Sequence, residues 1–170
     1  MKKNTLPLNR GVKLYVEGFN NPMLVNNFAK LVDKVEDADY IVKRIKTPFE
    51  KRNEYFLENF FRQGRLYYSS KEKKEILSFQ EKKPLIIIAN LERPTILTEI
   101  NDQSNSLLVE FGSSDSAILD VIFGEFNPSG KLPFELPSSW EAVLNQKEDL
   151  PYDSKEPLYD YGFGLSYNYL

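Results

Sequence analysis

Residues 107–137 read LLVEFGSSDSAILDVIFGEFNPSGKLPFELP, from Leu107 to Pro137, and their pattern decides the architecture. Leu107 to Phe111 has the aliphatic density of a buried strand, and Gly112 turns it into a short helix. Ser113, Ser114 and Asp115 supply N-cap oxygens and a first-turn negative charge, which suit the positive end of a helix dipole. Ala117, Ile118, Val121 and Ile122 recur at helical spacing, and Gly124 stands where a helix C-cap is wanted. Asn127-Pro128-Ser129-Gly130 is a turn sequence. Pro133 and Pro137 cannot donate to a ladder, so Lys131 to Pro137 is expected as an extended edge or surface segment.

Outward from this block, strand and helix patterns alternate. Val12 to Glu17 predicts a strand closing at Gly18, and Leu24, Val25, Phe28, Leu31 and Val32 form a stripe that predicts a helix from Pro22 to Val35. Tyr40 to Ile45 predicts the next strand. A helix is expected from Ser69 to Lys82, with Ile76, Leu77 and Phe79 inward. Leu85 to Leu91, apolar on both faces, reads as a central parallel strand. Thr95 to Ile100 and the segment after Ser138-Ser139 predict short helices, and Asn145 to Pro157 an extended wrap. This order implies a single three-layer α/β sandwich with a mostly parallel central sheet, flavodoxin- or Rossmann-like, of about five or six strands. Residues 1–10 read as a linker and 11–170 as the domain.

Composition narrows the chemistry. Of the 170 residues, 41% are hydrophobic and 28% charged, which suits an ordinary globular domain. The net charge of −3 argues against nucleic acid or an anionic membrane as partner. The chain has no cysteine and no histidine, which removes disulfides, thiol catalysis, Ser-His-Asp triads and most zinc sites. No metal and no cofactor is expected. No apolar run follows Met1-Lys2-Lys3-Asn4, so no signal peptide is expected in these residues, and the lack of cysteine fits cytoplasm and periplasm equally.

Three motifs lie in order along the chain: Asp120-Val121-Ile122-Phe123-Gly124, Asn127-Pro128-Ser129-Gly130-Lys131-Leu132-Pro133 and Tyr161-Gly162-Phe163-Gly164-Leu165-Ser166-Tyr167. With Lys3 to Leu8, they resemble the C-terminal α/β domain of glycoside hydrolase family 3, the family of β-glucosidases and β-N-acetylglucosaminidases. The resemblance implies one wall of a retaining glycosidase site, acting on a β-linked glucoside or oligosaccharide. The nucleophile would then be an Asp of a (β/α)8 barrel, which is expected to lie outside these residues and to be the domain's partner.

In many members the acid/base is a Glu on a loop reading Arg-Ile-Ser-Gly-Glu-Gly-x-Asp-Arg. Here the corresponding place reads Arg44 to Arg52, where Pro48 stands opposite the family Glu and Glu50 follows two positions later. Glu50 is the candidate acid/base; its other reading is a surface carboxylate paired with Lys51 or Arg52. Arg52 and Arg62 are candidate substrate-binding residues, although relatives carry a His at the place of Arg62. The aromatics Phe49, Tyr55, Phe56, Phe60 and Phe61 are expected mostly as a packed cover over the sheet, and as the surface that meets a barrel. A non-catalytic carbohydrate- or protein-binding module is the alternative. A nucleotide-binding domain is disfavoured, since no Gly-x-Gly-x-x-Gly follows the first strand.

Overall fold

A computed structural model of the chain describes residues 5–147 and 149–167; residues 1–4 of the expected linker lie outside it. Strands β1 (Lys13–Glu17), β2 (Lys30–Leu31), β3 (Tyr40–Lys46), β4 (Leu85–Asn90) and β5 (Ser106–Glu110) form one parallel sheet in the order β2-β1-β3-β4-β5. The helices are α1 (Ser70–Ile76), α2 (Thr98–Gln103), α3 (Asp115–Ile122) and α4 (Trp140–Asn145).

Strand alternation sorts the core into two layers. Ile41, Ile45, Leu85, Ile87 and Ala89 face Ile76 of α1 and Ile100 of α2. Leu14, Val42, Ile86 and Ile88 face Val25 and the Ile118, Leu119 and Ile122 row of α3. The expected three-layer α/β architecture is therefore present. β4 is an interior strand, as its aliphatic run requires, with every residue from Leu85 to Ala89 at 0% exposure. β3 takes the middle place.

Several local expectations are corrected. Pro22 to Val35 is not a helix: a 3-10 turn (Pro22–Asn27) is followed by β2 and a second short turn, Val35–Asp37. The apolar stripe fits a helix, but β1 still has an open edge, and Lys30 and Val32 N–H groups donate to the Val12 and Leu14 carbonyls. Asn26 reinforces the break by accepting the Leu31 N–H on its side chain. The helix from Ser69 shortens to α1, capped reciprocally by Ser69 and Glu72. That expected at Thr95 starts only at Thr98. β5 is half-buried rather than buried, being the last strand on its side of the sheet. On α3 the inward row is Asp115, Ile118, Leu119 and Ile122, with Ala117 exposed. The aromatics Tyr55, Phe56, Phe60 and Phe61 do not cover the sheet: they are 65–79% exposed.

The two family-like end motifs bind each other. Asn127 accepts the Tyr167 N–H at 2.7 Å and returns a side-chain N–H to the Tyr167 carbonyl at 3.2 Å. The Tyr167 hydroxyl donates to Val121 of α3, and Lys131 Nζ donates to the Gly164 carbonyl. Gly164 lies so close to the Gly130 carbonyl that any Cβ there would collide with it. Between these points the segment after Gly130 runs antiparallel to the tail: the Leu132 N–H donates to the Phe163 carbonyl, the Leu132 carbonyl accepts from Gly162, and Leu136 bridges Tyr159. Leu132 and Leu136 are thereby buried.

The core assignment is tested by truncation. Ile87→Ala is expected to cost about 2–5 kcal/mol, the range for emptying a packed aliphatic site, whereas Ala117→Ser on the exposed face of α3 should stay within about 0.5 kcal/mol. Urea unfolding of both variants checks the difference.

Candidate active site

In a doubly wound sheet the loops at the carboxyl ends of the strands form the ligand edge. Here that edge is held by a buried cation. Arg44 points from β3 to the α3 face, where its guanidinium meets Glu110 at 2.7 Å and Asp115 at 2.8 Å. It also donates to the Ser113 carbonyl. The remaining carboxylate oxygens are met by backbone: Glu110 accepts from Gly112 and Ser113, and Asp115 from Asn21. All three side chains are about nine-tenths buried or more. Burial pushes the Glu110 carboxyl up, but hydrogen bonds from Arg44 and from the backbone hold it below its usual value. At the β1/β3 switch point the neighbouring Lys43 pairs with Glu17 at 2.9 Å.

From β3 the chain rises as a hairpin over residues 50–63. Thr47 roots it: its hydroxyl donates to the Asn90 carbonyl and accepts the Glu92 N–H. The base is closed by an antiparallel bridge, in which the Glu50 N–H donates to the Gln63 carbonyl at 2.8 Å. At the tip a 3-10 turn, Phe56–Asn59, is stabilised by Glu58, which accepts the Glu54 and Tyr55 N–H groups. Phe56 and Phe60 meet edge to face there, with their outer surfaces open.

Glu50 lies at the base of this hairpin, 44% exposed, with Arg52 Nη2 3.4 Å from its carboxylate. Such an exposed pair stabilises by about 0–1 kcal/mol. The structure thus brings Glu50 and Arg52 together. Arg62 is engaged elsewhere: it pairs with Glu92 at 2.8 Å and stacks over Phe49 with its guanidinium carbon 4.2 Å from the ring centre.

Two further arginines, neither of them a candidate from the sequence, hold the return strand. Arg65 forks onto Glu72 at 2.6 and 2.9 Å. That fork, helped by Ser69, holds the Glu72 carboxyl down at about 2. Arg93, just past β4, donates to the Gly64 and Arg65 carbonyls. Burial lowers the Arg93 guanidinium from its usual value while the charge of Glu50 draws it back. Arg44 was detectable as a charge within an aliphatic strand; nothing in the sequence pattern pointed to its partners. Among the described residues no cluster of three or more His, Cys, Asp or Glu could hold a metal ion.

These features define a doubly wound α/β domain that presents a carboxylate-bearing hairpin among arginines at its ligand edge. The sequence profile described as "Glycosyl hydrolase family 3 C-terminal domain" matches residues 8–167. The chain belongs to that family. Among its relatives, β-glucosidase C of Emericella nidulans is 38% identical over 92% of this chain, and a periplasmic β-glucosidase/β-xylosidase of Dickeya chrysanthemi is 34% identical over 95%. The chain spans 25% of the length of each. A crystal structure of β-glucosidase from Listeria innocua in complex with isofagomine shares the fold, with a TM-score of 0.67 and 18% identity, covering 98% of this chain and 31% of that one.

Two outcomes follow from the electrostatics. Arg44→Ala strands two buried carboxylates and is expected to cost about 3–5 kcal/mol in urea unfolding. The second concerns pH. Glu72 titrates at about 2 when folded and near its ordinary 4.5 when unfolded. Its stabilisation is therefore present above the unfolded value and is lost as pH falls through the folded one. Arg65→Ala should flatten the loss of stability between pH 4.5 and about 2, measured as urea midpoints across that range.

Proposed function

We propose that this domain forms one wall of the active site of a retaining β-glucosidase, with Glu50 as general acid/base and the nucleophile on a (β/α)8 barrel. The observation that carries the proposal is the position of Glu50. It stands at the root of a hairpin leaving the middle strand of the sheet, on the loop that resembles the family's acid/base loop, with a carboxylate open enough to meet a second one. A retaining glycosidase needs its two carboxyl groups about 5–5.5 Å apart, so the partner carboxylate must arrive from a surface facing this edge. The β-glucosidase names of the relatives support a β-linked glucoside or oligosaccharide as substrate.

The other edge residues take supporting roles in this reading. Arg52 is close enough to hold the Glu50 carboxylate between proton transfers and to meet a sugar hydroxyl. Arg62 uses Nε for Glu92, and a guanidinium carries further N–H donors for a sugar hydroxyl. The exposed Tyr55, Phe56, Leu57, Phe60 and Phe61 make an apolar tip suited to docking on the barrel, since clustered exposed aromatics are a mark of interaction surfaces. Docking would place Glu50 over the sugar and shield it from water.

The chain alone should then be catalytically silent, because one carboxylate cannot act as both nucleophile and acid. Purified protein is expected to show no turnover of an aryl β-glucoside. Joined to a family 3 barrel, it should hydrolyse cellobiose. Glu50→Ala should then lose about 10²–10⁴-fold on cellobiose, where the leaving group needs a proton, and far less on a dinitrophenyl glucoside. Glu54→Ala and Glu17→Ala should leave both rates near the parent. Full cellobiose activity in Glu50→Ala would end the assignment.

A further inference from the structure

The Glu50 carboxylate does not stand free over the edge. It rests against Gly64, where a Cβ would run into the carboxylate itself, and the φ of +77° there favours glycine independently. Gly64 is therefore the floor against which the carboxylate packs. That floor belongs to the return strand of the hairpin, so the question is what holds the return strand still.

Two consecutive residues beyond β4 do so. Glu92 takes Arg62 at 2.8 Å on one side of Gly64. Arg93 donates from Nη2 to the Gly64 carbonyl at 2.7 Å and the Arg65 carbonyl at 3.2 Å. The guanidinium is part-buried, and Glu50 contributes a favourable charge interaction to it. Its base is firm, because the chain at Leu91 and Glu92 is tied into the sheet through the Glu110 carbonyl and the Thr47 hydroxyl. Arg65, the other residue it binds, is anchored to α1 through Glu72.

We propose that Arg93 is a positioning residue for Glu50: by pinning the Gly64 and Arg65 carbonyls to the end of β4, it sets the seat on which the acid/base carboxylate rests. It touches neither substrate nor leaving group. Its effect passes through the backbone of residues 64–65, and it rests on the reading of Glu50 as the acid. Both bonds leave Nη2, so a lysine in its place keeps the charge and N–H donors but carries them on a stem that ends short of that nitrogen.

The test compares Arg93→Gln and Arg93→Lys with Glu50→Ala in the domain joined to its barrel, on cellobiose and on the dinitrophenyl glucoside. Misplacing a catalytic group by about 1 Å can cost about 10²-fold, so Arg93→Gln should lose about 10–100-fold in kcat on cellobiose. It should change little on the activated substrate, and Arg93→Lys should fall between. In the 170-residue chain, the Glu50 amide should exchange with solvent about 10-fold faster in Arg93→Gln, reporting the loosened bridge to Gln63, with amides of β4 unchanged. Equal losses on both substrates, or cellobiose activity at the parent level, would overturn the role of Arg93 while a leaving-group-dependent Glu50→Ala kept the acid assignment intact. A Glu50→Ala enzyme without that dependence would overturn both.

Discussion

A cation buried between two carboxylates is the constraint on which the ligand edge depends. Arg44 interrupts the aliphatic face of β3, and its charge is tolerable there only because Glu110 and Asp115 meet it at 2.7 and 2.8 Å. Asp115 must point inward to do so, which fixes the rotation of α3 about its axis and turns Ala117 outward. Glu110 in turn gathers the Gly112 and Ser113 amides and shapes the turn between β5 and α3. One side chain thus sets the geometry of a strand end, a turn and a helix start.

The sheet itself needs no such device. Its two aliphatic layers are continuous from β1 to β4, and β3 and β4 pair over their length in register from Ile41–Leu85 to Lys46–Asn90. The hairpin beyond β3 is built on different physics. Backbone bridging, arginine contacts and a capped 3-10 turn hold it, while its large aromatic side chains stay outside. Rigid polar attachment and an apolar free end is the division of labour expected of a segment whose packing partner lies elsewhere.

The sequence carried the sheet well because its signals were unambiguous. Leu85 to Ala89 is apolar at every position, and Ser69 with Glu72, Ser114 and Ser139 cap helices as those residue types do. Where it misled, a tertiary demand overruled a local pattern. The stripe from Leu24 to Val32 matches a helix, yet the open edge of β1 recruited Lys30 and Leu31 as a strand. The edge chemistry was only partly legible. Glu50 and Arg52 were singled out through a loop resemblance and do lie together, whereas the contacts of Arg65 and Arg93 depend on carbonyls and carboxylates distant in sequence. Hydrogen bonds to backbone carbonyls leave no mark on residue type at the accepting end, so Gly64 could not announce its partner.

One corner of the domain has a mechanical meaning. The Leu8 N–H donates to Ile122 at the end of α3, Arg10 binds Glu125 just beyond it, and Asn127 holds Tyr167 of the tail. Both extremes of the described chain therefore converge where α3 ends, at the edge of the sheet opposite the hairpin. A pull on either extreme would enter the body at that corner first and act as a torque about it. The hairpin, at the far end of the lever, would swing through the largest arc, while the parallel strands between them would turn as one rigid plate.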